Sequence, residues 1–193
     1  MNAEVLKSSL VGLLPIFEQE EANLTNLDRE IGDGDHGVNM LRGFKAVSEK
    51  LSGDTVSDVL KSCGMTLMSA VGGASGPLYG FSFVKMAQVG HDEITSENIQ
   101  DYFKAFKEAI ETRGKVTKNE KTMYDVVSHV YEDLESGRIP SKEEVTQYAL
   151  NTKEIMATKG RAAYFKEKSI GVVDPGAMSA SYIINTLLEG VRS

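Results

Sequence analysis

Apolar residues recur along this chain at the three- and four-residue spacing that is typical of amphipathic helices. The spacing predicts eight helices, over residues 5–17, 40–51, 56–71, 77–89, 95–113, 122–134, 141–158 and 177–190. Sustained alternation of apolar and polar residues, which indicates strands, is nearly absent. The pattern therefore predicts an all-α fold: a single domain over residues 1–193, built as an antiparallel bundle or barrel of eight helices.

Glycines cluster at the links between the predicted helices, in residues 32–37, 72–76 and 171–176. In an up-and-down bundle, alternate links lie at the same end. Counting from the first link, which holds residues 28–39, the link at 72–76, the link at 114–121 and the link at 171–176 all share its end. We therefore expect a binding site at that end of the bundle.

The first of these links brings together three carboxylates, Asp28, Asp33 and Asp35. Like charges at this spacing repel each other, and a bound cation relieves the repulsion. Hard oxygen ligands favour Mg²⁺ or Ca²⁺ over zinc, which predicts a divalent metal site. His36 and Asn39 follow at once and offer polar groups to a bound anion. A solvated acidic turn is the alternative, because Asp-Gly pairs are common in turns.

The link at residues 72–76 has the composition of an anion-binding loop. Its glycines allow several backbone N–H groups to point into one concavity, the next helix adds its positive N-terminus, and Ser75 adds a hydroxyl donor. A tight turn between helices is the alternative. Arg161 offers a cation for a phosphate or simply ends a helix. Three methionines, at positions 65, 68 and 123, offer apolar contacts to an adenine ring or pack in the core.

Composition narrows the class of protein. The net charge of −7 over 193 residues provides no excess of cations for binding nucleic acid. The amino terminus has no signal pattern and no apolar run is long enough to cross a bilayer, so we expect a cytoplasmic protein without a membrane partner. The single cysteine, Cys63, stands in an apolar run and is predicted to be a core residue.

These motifs resemble the ADP-binding L subunit of bacterial, phosphotransferase-dependent dihydroxyacetone kinase. The resemblance covers essentially the whole chain and rests on six segments in the family's order. They are 27–43 (LDREIGDGDHGVNMLRG), 65–80 (MTLMSAVGGASGPLYG), 113–115 (RGK), 121–123 (KTM), 159–163 (KGRAA) and 174–177 (DPGA).

The resemblance implies a barrel of eight antiparallel helices with ADP or ATP at one end. Asp28, Asp33 and Asp35 would hold two Mg²⁺ ions that bridge the nucleotide phosphates. The implied nucleotide contacts are His36, Gly37, Val38, Asn39, Ala74, Ser75, Gly114, Met123, Arg161, Asp174, Pro175 and Gly176. No residue is assigned as catalytic beyond the support that His36 and the metal site give to transfer.

The resemblance also implies partners. A phosphohistidine carrier, the M subunit, would recharge ADP to ATP, and a separate K subunit would hold dihydroxyacetone. Free ATP as the donor, a related small ketose as the acceptor and a homodimer all stay open. Two alternatives belong to other classes: a nucleotide-loaded module that binds a transcription regulator, and a structural metal-binding protein.

The chain departs from the family pattern at three places beside the implied pocket. These are residues 119–120 (NE), 166–169 (KEKS) and 171–172 (GV), where the family usually has Gly-Asp, Gly-Glu-Arg-Ser and Gly-His. Lysine keeps the charge of arginine and loses its planar fork. Because the metal ligands are intact, we expect the departures to affect partner or substrate choice more than nucleotide binding.

Overall fold

The computed structural model describes residues 1–192 and confirms an all-helical fold, with no β-strand among these residues. Two 3₁₀ segments, Thr152–Glu154 and Arg161–Ser169, lie between the last two α-helices. The α-helices of the described residues are α1 (Ala3–Val11), α2 (Leu13–Ile31), α3 (His36–Lys50), α4 (Val56–Ala70), α5 (Ser75–Met86), α6 (Ile99–Gly114), α7 (Met123–Glu135), α8 (Lys142–Asn151) and α9 (Pro175–Arg192).

The first predicted helix is two helices in the structure. The helix is interrupted at Gly12, and α2 then continues to Ile31 because Leu24, Asp28 and Ile31 keep the inward-facing spacing after residue 17. Asp28 therefore lies in the last turn of a helix and not in a loop. The other predicted helices correspond one to one with α3–α9, so the predicted eight-helix arrangement is confirmed with α1 as an addition.

The helices from α2 to α9 form a closed ring, in which each helix packs on the next and α9 packs back on α2. Helix α1 packs against α2, α3, α4 and α9. Aromatic rings fill the interior: Phe17 and Phe44 stack with their centroids 4.6 Å apart. The thiol of Cys63 is fully buried in this core, as expected from the sequence. No helix in the described part of the chain is both long and apolar enough to cross a bilayer.

Two glycines bring α4 and α5 to backbone contact. A Cβ atom on Gly64 would come within 2.6 Å of the Gly80 carbonyl oxygen, and one on Gly80 would come within 2.3 Å of Met68 Cγ. Real side chains do not tolerate such distances, so both positions require glycine for this packing. The close pairing sets the position of the short link between the two helices.

Helix α8 ends earlier than the sequence predicts, at Asn151 instead of 158. The hydroxyl of Thr152 donates to the Ala149 carbonyl at 2.6 Å and accepts the Asp174 N–H at 3.0 Å. These bonds replace continued helical turns. The residues that follow form an irregular segment, 152–173, which runs over the end of the ring where the predicted site lies.

Candidate functional site

A cavity of about 510 Å³ opens at one end of the ring, and residues from all four of the predicted links line it. This volume is within the range of small-molecule sites. The expectation that alternate links share one end is therefore confirmed. Among the predicted site residues, those that line the cavity are Asp28, Asp33, Asp35, His36, Asn39, Ala74, Ser75, Gly114, Met123, Arg161, Asp174, Pro175 and Gly176.

Two predicted nucleotide contacts, Gly37 and Val38, are not among the residues that line this cavity. A Cβ on Gly37 would come 2.1 Å from the Glu21 carbonyl oxygen, so this glycine allows α3 to pack against α2. The side chain of Val38 is half exposed. The structure therefore assigns Gly37 a packing role.

The three carboxylates meet at the wall of the cavity. Asp28 is buried, whereas Asp33 and Asp35 are more exposed, and one oxygen from each lies within 4.8 Å of the others. Asp28 Oδ2 accepts the backbone N–H groups of Asp35 at 2.9 Å and His36 at 3.1 Å. These bonds fold the loop back over α2 and begin α3 beside the carboxylates.

The donor set fits a hard divalent cation. Three carboxylates converge on one point, and the guanidinium of Arg161 contacts one of them, Asp33. This contact shows that the Asp33 carboxylate accepts a positively charged partner. Aspartate oxygens at this separation suit Mg²⁺, which usually takes one or two protein carboxylates together with phosphate oxygens.

His36 is held by both of its ring nitrogens. Ser75 Oγ lies 3.2 Å from Nδ1, and Ser179 Oγ lies 2.9 Å from Nε2. Ser179 in turn lies 2.7 Å from the hydroxyl of Tyr79. Burial lowers the pKa of the imidazole to about 4, against the opposing influence of Asp28 and Asp35. His36 is therefore a neutral, oriented group at neutral pH.

The link at 72–76 has the geometry of a tight, glycine-dependent loop. Gly73 has a φ of +65°, in the left-handed region, and a Cβ on Gly76 would come 2.2 Å from the Val71 carbonyl oxygen. Ser75 is the first residue of α5, so its hydroxyl and the free N–H groups of that helix end lie together at the cavity. This arrangement suits an anion.

Asp174 begins α9. Its Oδ2 accepts the Ala177 N–H at 2.7 Å, with Pro175 in the first helical position. Burial raises the pKa of the Asp174 carboxyl to about 7, although the Ala177 N–H and Lys121 act in the opposite direction. Aspartate at this position is therefore only partly ionised at neutral pH in the metal-free protein.

Lys121 is a buried cation that sequence reasoning missed. Its Nζ donates to the Thr152 carbonyl at 2.6 Å and to the Val172 carbonyl, and its own backbone has a φ of +63°. Burial lowers the pKa of this ammonium, while Asp174 opposes the shift. The side chain fastens the segment 152–173 to the start of α7.

The cavity also has an apolar side. Leu78, Ile110, Val116 and Met123 line it together with Ile31 and Pro77. Of the three methionines suggested by the sequence, only Met123 is in this group, because Met65 is exposed and Met68 packs at Gly80. An apolar slot beside an anion cradle suits a ligand with an aromatic base and phosphates.

Sequence reasoning did not single out three polar residues at or beside the site, although Tyr79 and Lys121 lie in the motif segments 65–80 and 121–123. Tyr79, Lys121 and Ser179 stand at helix or loop positions whose spacing fits ordinary core packing, and only the tertiary contacts show their role. The departures from the family pattern surround this region. Val172 provides the carbonyl that Lys121 binds, and Asn119 adopts a φ of +64° while its N–H donates to Asp125 at 2.5 Å.

A closed ring of helices with a carboxylate cluster, a glycine-rich loop and an apolar slot at one end defines an all-helical barrel with a candidate ligand site. The DAK2 domain family matches residues 30–189 of the chain. The chain belongs to this family.

Its relatives are well matched over most of their length. The chain is 44% identical to the "PEP-dependent dihydroxyacetone kinase 1, ADP-binding subunit DhaL" of Listeria innocua, over 89% of this chain and 88% of the relative. It is 44% identical to the "PTS-dependent dihydroxyacetone kinase, ADP-binding subunit DhaL" of Lactococcus lactis, over 91% of each chain. These relatives confirm the resemblance to the L subunits.

The fold is also that of a solved kinase. The dihydroxyacetone kinase of C. freundii in its native form matches with a TM-score of 0.74 and 19% identity, over 98% of this chain and 35% of that one. Its complex with AMP-PNP and Mg²⁺ matches with a TM-score of 0.66 and 20% identity, over 96% and 32%. The chain thus spans about a third of that kinase, and the likeness is one of fold.

Proposed function

We propose that this chain is the nucleotide-bearing subunit of a phosphotransferase-dependent dihydroxyacetone kinase. It holds ADP or ATP with two Mg²⁺ ions, receives a phosphoryl group from a phosphohistidine carrier, and passes it to dihydroxyacetone on a separate subunit. The observation that carries the proposal is the meeting of Asp28, Asp33 and Asp35 with the 72–76 loop on one cavity. The relatives described as ADP-binding subunits support it.

In this proposal each side of the cavity has a task. Asp28, Asp33 and Asp35 would hold the metal, which when bound neutralises phosphate charge during transfer. The N-terminus of α5, Ser75 and Asn39 would bind phosphate oxygens, and the apolar slot would take the adenine ring. The chain therefore supplies positioning and electrostatics for an in-line displacement.

The geometry of His36 supports the nucleotide, and not this histidine, as the phosphoryl carrier. Both ring nitrogens have hydrogen-bond partners and the residue is 7% exposed, so neither nitrogen is free to attack a phosphorus atom. The balanced step is then transfer to ADP. The P–N bond of the carrier's phosphohistidine breaks as a P–O bond to a β-phosphate oxygen of ADP forms. The γ-phosphoryl of ATP later moves to a hydroxyl oxygen of the acceptor, which loses its proton, and the bond between the γ-phosphorus and the bridging oxygen breaks to leave ADP.

The Arg161–Asp33 contact suits a site that receives a negatively charged ligand together with its metal. Lys159 and Arg113 also line the cavity, so basic residues share it with the three carboxylates. When a cation replaces the guanidinium at Asp33, Arg161 becomes available to a phosphate. A structural metal site alone does not require this excess of phosphate-binding groups.

Reconstitution tests the proposal. The purified chain is mixed with a dihydroxyacetone-binding subunit and the phosphocarrier, and phosphorylation of dihydroxyacetone is followed by ³¹P NMR. The Lactococcus lactis subunit serves as the positive control. We expect transfer from the carrier that depends on bound ADP and is lost in Asp33→Asn.

The arms of this experiment separate the alternatives. A reaction with free ATP in place of the carrier would identify ATP as the phosphoryl donor. Activity only on another small ketose would identify that ketose as the acceptor. A chain that keeps ADP and transfers to neither would favour the regulatory module. Failure to hold ADP under any condition would contradict the proposal.

A further inference from the structure

Arg42 joins two parts of the cavity wall. Its Nε donates to the carbonyl oxygen of Ala70 at 2.7 Å, and its Nη2 donates to the side-chain oxygen of Asn39, also at 2.7 Å. Ala70 is the last residue of α4, so its carbonyl has no partner within the helix. One guanidinium therefore connects α3 to the end of α4, directly before the glycine loop.

The contact determines which way the Asn39 amide faces. A guanidinium has only donors, so the atom that it touches must be the amide oxygen and not the nitrogen. Asn39 lines the cavity and is 6% exposed. Within residues 1–192, its Nδ2 group makes no hydrogen bond. Two donor hydrogens of a buried amide are thus left for a ligand in the cavity.

The glycine loop is built against this pair. A Cβ atom on Gly72 would lie 3.0 Å from Arg42 Nη2 and 3.0 Å from Asn39 Oδ1. A side chain at position 72 would therefore push on the pair, and the absence of one lets the backbone pass close to it. Asn39, Arg42 and the loop form one unit on the phosphate side of the cavity.

We propose that Arg42 is a positioning residue that orients the Asn39 amide as a phosphate donor and anchors the end of α4 from which the glycine loop begins. The inference rests on the proposed function, since it takes a nucleotide phosphate as the ligand. Arginine is required because its Nε and Nη2 reach two acceptors in fixed directions. A lysine ammonium keeps the charge without that fork.

Two measurements test the proposal. Lys45→Gln is the matched control, because Lys45 is exposed on the same helix. In the nucleotide-free protein, we expect Arg42→Lys to shift or broaden the side-chain amide signals of Asn39 in a ¹H–¹⁵N spectrum. Lys45→Gln should leave these signals unchanged. Unchanged Asn39 signals in Arg42→Lys would overturn the orientation, whether or not the chain binds a nucleotide.

The second measurement is the binding of Mg·ADP by calorimetry. We expect Asn39→Ala and Arg42→Lys each to weaken binding about tenfold, as for the loss of one hydrogen bond to a charged group. In the double variant the loss should stay close to that of Asn39→Ala alone. Losses that multiply to about a hundredfold would mean that Arg42 acts on binding independently of Asn39, and would overturn the claim that it orients the Asn39 amide for the phosphate.

Asn39→Asp separates positioning from stability. Its carboxylate still accepts from Arg42, so the melting temperature should be retained, whereas its second oxygen presents negative charge to the phosphate. We expect weaker Mg·ADP binding than in Asn39→Ala, and binding as tight as in the unaltered chain would contradict the proposal. An unaltered chain that does not bind Mg·ADP would instead refute the proposed function, while the Asn39 signals still decide the role of Arg42.

Discussion

Asp174 and His36 lie on the same cavity and respond to acid in opposite ways. The Asp174 carboxyl has a folded-state pKa of about 7, raised by burial from about 3.9 in an unfolded chain. Its stabilising contribution is therefore complete below pH 4 and is lost as the pH rises through 7. The His36 imidazole has a folded-state pKa of about 4, lowered by burial from about 6.5. Its contribution is complete above pH 6.5 and is lost as the pH falls towards 4.

The magnitudes follow from linkage. When the pH falls from 7 to 5, protonation of Asp174 in the folded state raises the free energy of unfolding by about 2 kcal/mol. Over the same range, protonation of His36 in the unfolded state lowers it by about 2 kcal/mol. The two contributions nearly cancel in the unaltered chain. Asp174→Asn removes one of them and keeps a good N-cap for α9, because asparagine accepts the Ala177 N–H equally well.

We therefore expect the free energy of unfolding of Asp174→Asn to fall by about 2 kcal/mol relative to that of the unaltered chain when the pH is lowered from 7 to 5. The measurement is urea unfolding followed by circular dichroism at pH 7, 6 and 5, in chelator and without nucleotide. Asp54→Asn, at an exposed position, is the control and should follow the unaltered chain. A difference between Asp174→Asn and the unaltered chain that stays constant over this range would refute the reasoning.

Three further predictions concern the packing at Gly37, the charge of Arg161 and the attachment of segment 152–173 by Lys121. Gly37→Ala should lower the free energy of unfolding by about 1–3 kcal/mol, measured in urea, because its Cβ would overlap the Glu21 carbonyl. Arg161→Gln should tighten Mn²⁺ binding to the nucleotide-free chain several-fold, measured by electron paramagnetic resonance, and weaken Mg·ADP binding, since the guanidinium competes for Asp33. Lys121→Met should lower the free energy of unfolding in urea by about 3 kcal/mol, because one buried and one partly buried carbonyl lose their donor.

Each of these predictions has its own contrary outcome, and the first has a matched control. Val38→Ala, beside Gly37 but half exposed, should change stability by less than about 0.5 kcal/mol. Equal stability of Gly37→Ala and the unaltered chain would refute the packing role. Arg161→Gln that weakens Mn²⁺ and Mg·ADP binding together would show that Arg161 does not compete with the metal. If Lys121→Met were as stable as the unaltered chain, Lys121 would not hold segment 152–173 in place.

The helical pattern and the glycine links were sufficient to predict the ring and the end that holds the site. Asp28, Asp33 and Asp35 could be grouped from their spacing alone, and the alternation of links placed the 72–76 loop beside them. Both inferences depend on local periodicity and on the topology of a bundle, which a sequence carries directly.

Other features depend on tertiary contacts that no periodicity encodes. The end of α8 is determined by the Thr152 hydroxyl, whose partner Asp174 is far along the chain. The spacing of Lys121 and Ser179 looks like that of ordinary loop and core residues. Gly37 lies in the same sequence motif as the cavity residues. Its lack of a side chain, however, allows α3 to pack closely against α2.

The most direct test of the account is calorimetric titration of the chain with ADP in Mg²⁺ and in chelator, together with Asp33→Asn. We predict tight binding that requires Mg²⁺ and is lost in Asp33→Asn, because the three carboxylates act on the phosphates through the cation. ADP binding that is equally tight in chelator, or that persists in Asp33→Asn, would contradict the central claim.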